Sequence, residues 1–223
     1  MTLAELRAWI RRQARDVYAT EVTDAQLNDL LNEGYIDFAA RTGCFIRDVS
    51  VSVNANTNIV TFPSYVIDFK RITQGNAVLL TATPEDMAIK YGASWRSQTG
   101  TPAYVIRLSP TAVRPVPIPS AAQSWTVEAI VVPSNETGAP IPLLSSDNDT
   151  PLIPAAFHLA LAYYAIWQLA LMNPQNQLLA ARAQGYMTNY VELIGQARQE
   201  LGRMLEGVSL KPMVQPASSQ QSQ

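Results

Sequence analysis

The chain has 223 residues, of which 48% are hydrophobic and only 15% are charged, and its formal net charge at pH 7 is −2. A typical globular domain carries about 25% charged residues, which lie mostly on its solvated surface. The low share here suggests that the chain exposes less surface to water than a monomer of its size. The small negative net charge excludes a global basic field that would draw the chain to nucleic acid.

Cysteine and histidine content limits the chemistry that this chain can carry. The single cysteine, Cys44, excludes an internal disulfide and fits a reducing compartment. The single histidine, His158, lies far from it in sequence, and the two cannot supply a zinc or iron site. The glycines are scattered and form no phosphate-binding loop. We therefore predict no metal and no cofactor, and we expect no secretion signal, because no basic segment precedes an apolar core near the N-terminus.

Two helices are predicted at the N-terminal end, each beginning at a capping box. Thr2 with Glu5 opens the first, and Thr23 with Gln26 opens the second. Gly43 is a natural stop for the second helix. The short link between them predicts a helical hairpin.

Residues 44–150 change to the alternating pattern of β-strands. Val49, Val51 and Val53 alternate with polar residues, and residues 59–62 are expected to pair back onto this strand across an asparagine-rich turn. Thr83 is predicted to cap a short helix with Pro84 at its first position. Further strands are predicted at residues 68–73, 77–80, 103–108, 112–116 and 125–132, and the last, apolar on both faces, is the expected central strand.

A loop over residues 133–151 leads into two helices of opposite character. Residues 154–172 are apolar on almost every side, and a helix of this kind must be hidden. Its length approaches that of a membrane span, but Pro154, His158 and Gln168 and the absence of a basic flank favour a buried core helix.

The second of these helices, residues 174–206, carries one apolar stripe that includes Tyr186, Tyr190, Ile194, Ala197 and Leu201. At about 1.5 Å per residue it would approach 50 Å, longer than a domain of this size needs for itself. We therefore predict that the stripe packs against another copy of the chain. The predicted fold is α+β: a helical bundle of residues 1–43 and 151–206, a β-rich insert of residues 44–150, and a flexible tail of residues 207–223.

No residue set points to an enzyme. His158 on an apolar helix is typical of a satisfied core histidine, although pairing with Cys44 as base and nucleophile is an alternative. Glu85 and Asp86 could serve as paired carboxylates, yet acids in the first turn of a helix are expected from the helix dipole. We predict that the chain is not an enzyme.

The order of these elements resembles the head-to-tail adaptor proteins of tailed bacteriophages. The resemblance spans roughly residues 1–206. In the N-terminal half it lies in the helical hairpin with residues 30–33, in the Thr61-Phe62-Pro63 strand end and in the turn at residues 100–104. It continues in Val116-Pro117 with the apolar strand after it, and in residues 149–154 before the helix pair.

The resemblance implies a structural virion protein at the neck, assembled in the host bacterial cytoplasm. Such adaptors form a ring of the chain itself, usually of twelve copies, that docks on the portal protein and carries a tail or nozzle protein. DNA passes through the channel during genome ejection without sequence-specific binding, and no membrane is involved. Mapped onto this chain, the portal-binding residues would lie in the tail: Leu210, Pro212, Met213 and Val214.

Two alternatives stay open at this stage. An adaptor-associated peptidoglycan hydrolase could use Glu85 or Glu128 in the β-rich region. Another neck component, such as a stopper protein, is the second alternative, and the four predicted helices argue against it because stoppers are mostly small β-barrels.

Overall fold

The computed structural model describes residues 1–14, 22–173 and 175–207. Within them, five α-helices and nine strands follow one another, with a 3₁₀ turn at Ala155–Phe157. The helices are α1 (Leu3–Gln13), α2 (Asp24–Thr42), α3 (Pro84–Tyr91), α4 (His158–Met172) and α5 (Gln177–Gly207). The strands are β1 (Ile46–Val53), β2 (Val60–Thr61), β3 (Val66–Gln74), β4 (Ala77–Thr81), β5 (Thr99–Gly100), β6 (Tyr104–Ser109), β7 (Ala112–Val116), β8 (Ile118–Pro119) and β9 (Gln123–Val131).

The predicted starts of α1, α2 and α3 are confirmed. Thr2, Thr23 and Thr83 each accept a hydrogen bond from the backbone N–H three residues later, and each box is reciprocated by the side chain at that position. α2 ends at Gly43, whose φ of 65° is in the left-handed region that favours glycine. The part of the first predicted helix that reaches Val17 lies outside the described residues.

α4 is the centre of the helical part and contacts α1, α2 and α5. Residues Ala155–Met172 are long and apolar enough to cross a membrane by length and composition, and half of this window is buried inside the chain. Gly34 allows α2 to approach closely, because a Cβ placed there would lie 3.0 Å from Cδ1 of Tyr164 on α4. The sequence expectation of a core helix agrees with these contacts.

Seven strands form one sheet in the order β1-β9-β3-β4-β6-β7-β2. β9 pairs antiparallel with both β1 and β3, so it is an interior strand, although it stands second in the order and not at its middle as predicted. The predicted pairing of residues 59–62 with β1 is wrong, since Val60 and Thr61 pair with Val113 and Ala112 of β7. Alternation fixes which face of a strand is buried, but not which strand lies beside it.

The predicted fold class, a helical bundle with a β-rich insert, is also wrong. The sheet is a nearly closed, barrel-like layer, and the chain is 42% helical and 25% strand. One hydrophobic core runs without interruption from the helices into the sheet and includes Leu31, Phe38, Trp125, Val127 and Ile166. Turn residues in the sequence indicate hairpins between neighbouring strands, whereas β1 pairs with β9, which is far from it in the chain.

Hydrogen bonds and an ion pair hold the loop predicted over residues 133–151 against α1 and α2. The Asn32 side chain donates to the Leu144 carbonyl and accepts from the Leu144 N–H, both at 2.9 Å. The Tyr35 hydroxyl accepts a hydrogen bond from the N–H of Leu152, and burial raises the pKa of Tyr35 to about 12. Buried Arg7 on α1 forms an ion pair with Asp147 of the loop. The loop is therefore part of the structural frame.

Candidate functional site: the outer faces of α4 and α5

One side of α4 carries large apolar residues that the chain covers only in part. Leu159, Tyr163, Trp167 and Leu171 follow one another at intervals of four residues and therefore share one side of the helix. The first three are half-buried and Leu171 is 57% exposed. We call these four residues the outer stripe. α4 carries no aspartate, glutamate, lysine or arginine, and its one histidine, His158, is buried on another side, so no charge interrupts the stripe.

Aromatic contacts hold the outer stripe in place. The ring of Trp9 on α1 meets Tyr163 edge-on at 5.4 Å between centroids, and Tyr163 stacks on Tyr186 of α5 at 6.2 Å. Trp167 meets Tyr164 edge-on at 5.7 Å. Such packing fixes the rings without covering their outer surfaces. The stripe is thus a preformed apolar surface.

The outward side of α5 is a shallow depression. Its volume is about 350 Å³, and its lining is Gln184, Met187, Thr188, Val191 and Glu192. We call this surface the α5 depression. Gly185 and Gly195 lie ten residues apart on the same helix and do not line it, and a Cβ built at either glycine meets no atom within 4 Å.

The residues predicted to form the subunit interface lie in the core of the single chain. Tyr186, Tyr190, Ile194 and Ala197 are at most 8% exposed, and Leu201 is half-buried beside a cavity lined also by Phe38 and Phe157. Packing against the chain's own α4 accounts for that stripe. Subunit packing through α5 stays a prediction, and the α5 depression is one of the surfaces that this helix leaves exposed.

The predicted portal-binding residues Leu210, Pro212, Met213 and Val214 lie outside the described residues. The sequence pattern did not separate the outer stripe from the rest of α4, because every side of that helix is apolar. The four-residue spacing of its largest side chains was the only available signal.

The histidine and the cysteine have structural surroundings. His158 is 3% exposed; its Nδ1 lies 2.7 Å from the Met1 amine and its Nε2 lies 3.0 Å from the Ile153 carbonyl oxygen. Burial lowers the pKa of His158 and raises the pKa of the Cys44 thiol. Because both ring nitrogens of His158 have other partners, it does not serve Cys44 as a base, and the expectation of a satisfied core histidine is confirmed.

Two of the three candidate carboxylates, Asp86 and Glu128, have ordinary partners, and the third, Glu85, is exposed on the surface. Asp86 completes the capping box of α3, which lowers its pKa through hydrogen bonds from Thr83. Glu128 on β9 pairs with Arg71 at 3.2 Å. Among the described residues, no group of three or more histidine, cysteine, aspartate or glutamate side chains is placed to hold a metal ion.

Two comparisons with known proteins bear on the identity of the chain. A search of curated protein sequences gives no match. A family model described as SU10 adaptor protein matches residues 1–211, almost the whole chain. The chain therefore belongs to the SU10 adaptor protein family, a family of bacteriophage head-to-tail adaptors.

Proposed function

We propose that this protein forms a ring in the neck of the virion, that the ring docks on the portal protein, and that it joins the portal to the tail while leaving a channel for DNA. The family supports a structural phage adaptor. The ring of about twelve copies, the portal contact and the tail contact extend that assignment to this chain.

The observation that carries the proposal is the outer stripe, which the single chain covers only in part. An apolar patch of aromatic and aliphatic side chains is costly to leave in water, because each Å² of apolar surface that is buried stabilises by about 25 cal/mol. α4 has no charged residue to keep that surface soluble, and the whole chain has few. Repeated burial of this surface between identical subunits accounts for both features.

The ring is tested by measuring mass. Multi-angle light scattering of the full chain, alone and with purified portal of the same phage, should give a mass of several subunits in at least one of the two conditions. A monomer that becomes a ring only on the portal supports the proposal. A chain that stays monomeric in both conditions, at every concentration tested, would refute it.

The portal contact is proposed to lie in residues 208–223, which contain Leu210, Pro212, Met213 and Val214. A chain that ends at Gly207 should keep its circular dichroism spectrum and Tm but lose portal binding in a pull-down. A full-length variant with these four residues changed to serine is the matched control for length, and it should also lose binding. Undiminished binding by either variant would overturn this assignment.

A further inference from the structure

We propose that a small apolar pocket beside α5 binds Leu210 of the same chain while the protein is free of the portal. We call it the Cys44 pocket, and its lining is Phe38, Cys44, Pro154, Phe157, Ala197, Glu200 and Leu201. Leu210 belongs to the C-terminal segment, residues 208–223, which lies outside the described residues. Binding in the free chain goes beyond the proposed function, whereas competition between the pocket and the portal for Leu210 rests on it.

The Cys44 pocket has the size and the lining for one apolar side chain. Its volume is about 30 Å³, which is room for roughly two groups the size of a water molecule. Glu200 is the only charged residue of the lining, and the others are apolar apart from the thiol of Cys44. Water in such a space finds few hydrogen-bond partners, so the methyl groups of a leucine side chain are the better occupant.

The span of the chain selects Leu210 as the occupant. α5 ends at Gly207, six residues after Leu201 on the pocket wall, a distance of about 9 Å at 1.5 Å per residue. Glycine is a natural stop for a helix, and Pro212 opposes its continuation beyond that point. A segment that turns back after Gly207 covers about 10 Å in three extended residues. Leu210 is therefore the first residue that can reach the pocket.

Charge agrees with this register. Glu200 is exposed beside the pocket and takes part in no ion pair among the described residues. Lys211 carries the only charged side chain of the C-terminal segment, and it follows Leu210 directly. With Leu210 in the pocket, the long side chain of Lys211 lies within reach of the Glu200 carboxylate. An exposed pair of this kind adds little affinity, but its sign favours this segment as the occupant.

The chain's own segment has an advantage over a second copy. Leu210 is joined to the pocket wall through the end of α5 and a short connection, which gives it an effective concentration of about millimolar. The same residue of a second copy is present only at the concentration of the protein. Because Leu210 is also among the proposed portal-binding residues, the portal and the Cys44 pocket compete for it.

Alkylation of Cys44 measures whether the pocket is occupied, because this thiol is the only one in the chain. The rate with N-ethylmaleimide is measured for the full chain and for a chain that ends at Gly207, and the ratio of the second rate to the first is the protection. We expect protection of about fivefold, the value for a pocket that is about 80% occupied. A contact this weak opens before the chain unfolds, so the two Tm values should agree. Equal alkylation rates would overturn the proposal.

Matched substitutions in the full chain test the assignment of Leu210. Leu210→Ser should abolish the protection, because serine gains nothing from an apolar pocket. Val214→Ser makes the same kind of change four residues later and is the control, with protection unchanged. Protection that survives Leu210→Ser, or that is lost only in Val214→Ser, would overturn the assignment.

A charge exchange tests the position of Lys211. Glu200→Lys should lower the protection, and Lys211→Glu added to the same chain should restore it. Both rates are compared with that of a Glu200→Lys chain that ends at Gly207, which removes the direct effect of the new charge on the thiol. A double variant that is no better protected than Glu200→Lys alone would overturn the pairing of Lys211 with Glu200.

Protein concentration and portal binding separate this inference from the proposed function. Protection that does not depend on protein concentration supports the chain's own segment, and protection that increases with concentration indicates a second copy and overturns the proposal. Protection without portal binding in the pull-down overturns the portal contact and leaves the pocket assignment standing. Portal binding without protection does the reverse. Excess portal should return the alkylation rate to that of the chain that ends at Gly207, and a thiol that stays protected would overturn the competition.

Discussion

Asn32 fastens the long loop to α2, and its removal should destabilise the fold by a predictable amount. Asn32→Ala deletes two hydrogen bonds to the backbone of Leu144, each 2.9 Å long. A hydrogen bond of this kind contributes about 1 kcal/mol net, and a buried group left unpaired costs about 1–3 kcal/mol. Leu144 is 5% exposed, so the two groups cannot both turn to bulk water.

Water near Leu144 should reduce the loss of stability that Asn32→Ala causes. An open cavity of about 300 Å³ adjoins Leu144 and is lined also by Tyr35 and Leu152. Water that enters it can satisfy one of the two backbone groups. We therefore expect Asn32→Ala to lower the free energy of unfolding by about 2 kcal/mol, rather than by the roughly 4 kcal/mol of two fully unpaired groups.

Urea denaturation followed by tryptophan fluorescence measures this loss, and thermal denaturation should show a decrease in Tm of about 4–8 °C. Glu33→Ala changes the exposed neighbouring residue and is the control, with an expected effect of less than about 0.5 kcal/mol. Asn32→Asp keeps the acceptor for the Leu144 N–H but loses the donor, so it should fall between the two. An Asn32→Ala variant as stable as Glu33→Ala would refute the account of the loop as part of the frame.

Three further predictions concern the helices. Gly34→Ala should destabilise by about 1 kcal/mol in urea denaturation, because its Cβ would lie 3.0–3.2 Å from Tyr164 atoms and overpacking outweighs the gain in helix propensity. The Arg11 hydrogen bond lowers the pKa of Asp24 from 3.8, so its contribution is present above that value and is lost as the pH falls through the lower folded pKa. The unfolding free energy of Asp24→Asn should therefore depend less on pH between about 5 and 3. Leu171→Glu, at a 57% exposed position, should leave Tm within about 2 °C of the parent but reduce the sedimenting oligomer, and an unchanged oligomer would contradict it.

Local signals in the sequence predicted local structure correctly. The capping boxes at Thr2, Thr23 and Thr83 and the stop at Gly43 each depend on a few neighbouring residues, and all are present. The turn residues around Gly75 also predict a hairpin of the strands at residues 68–73 and 77–80, and β3 and β4 pair across that turn. Chemistry contained within one turn or one hairpin can be read from a single sequence.

The long-range arrangement could not be predicted in the same way. The partner of β1 is β9, and nothing in the alternation of Val49, Val51 and Val53 selects it over the nearer residues 59–62. The same limit applies to α5: Tyr186 and Tyr190 of its stripe pack on α4, and packing of this helix against a second copy stays a prediction. An apolar stripe shows that a helix is covered on that side, and does not show which surface covers it.

α4 shows how assembly can remove the pattern on which sequence interpretation depends. An amphipathic helix shows a period of 3.6 residues because one of its sides meets water. On α4, the chain covers the side with Leu161, Ala165 and Ile166, and the proposed neighbour covers the side with Tyr163 and Trp167. When two different partners cover the two sides, no side is left for charge, and the helix has the composition of a membrane span. Under the proposed function, the apolar character of α4 reports two burial events, one in folding and one in assembly, and only the first occurs within the single chain.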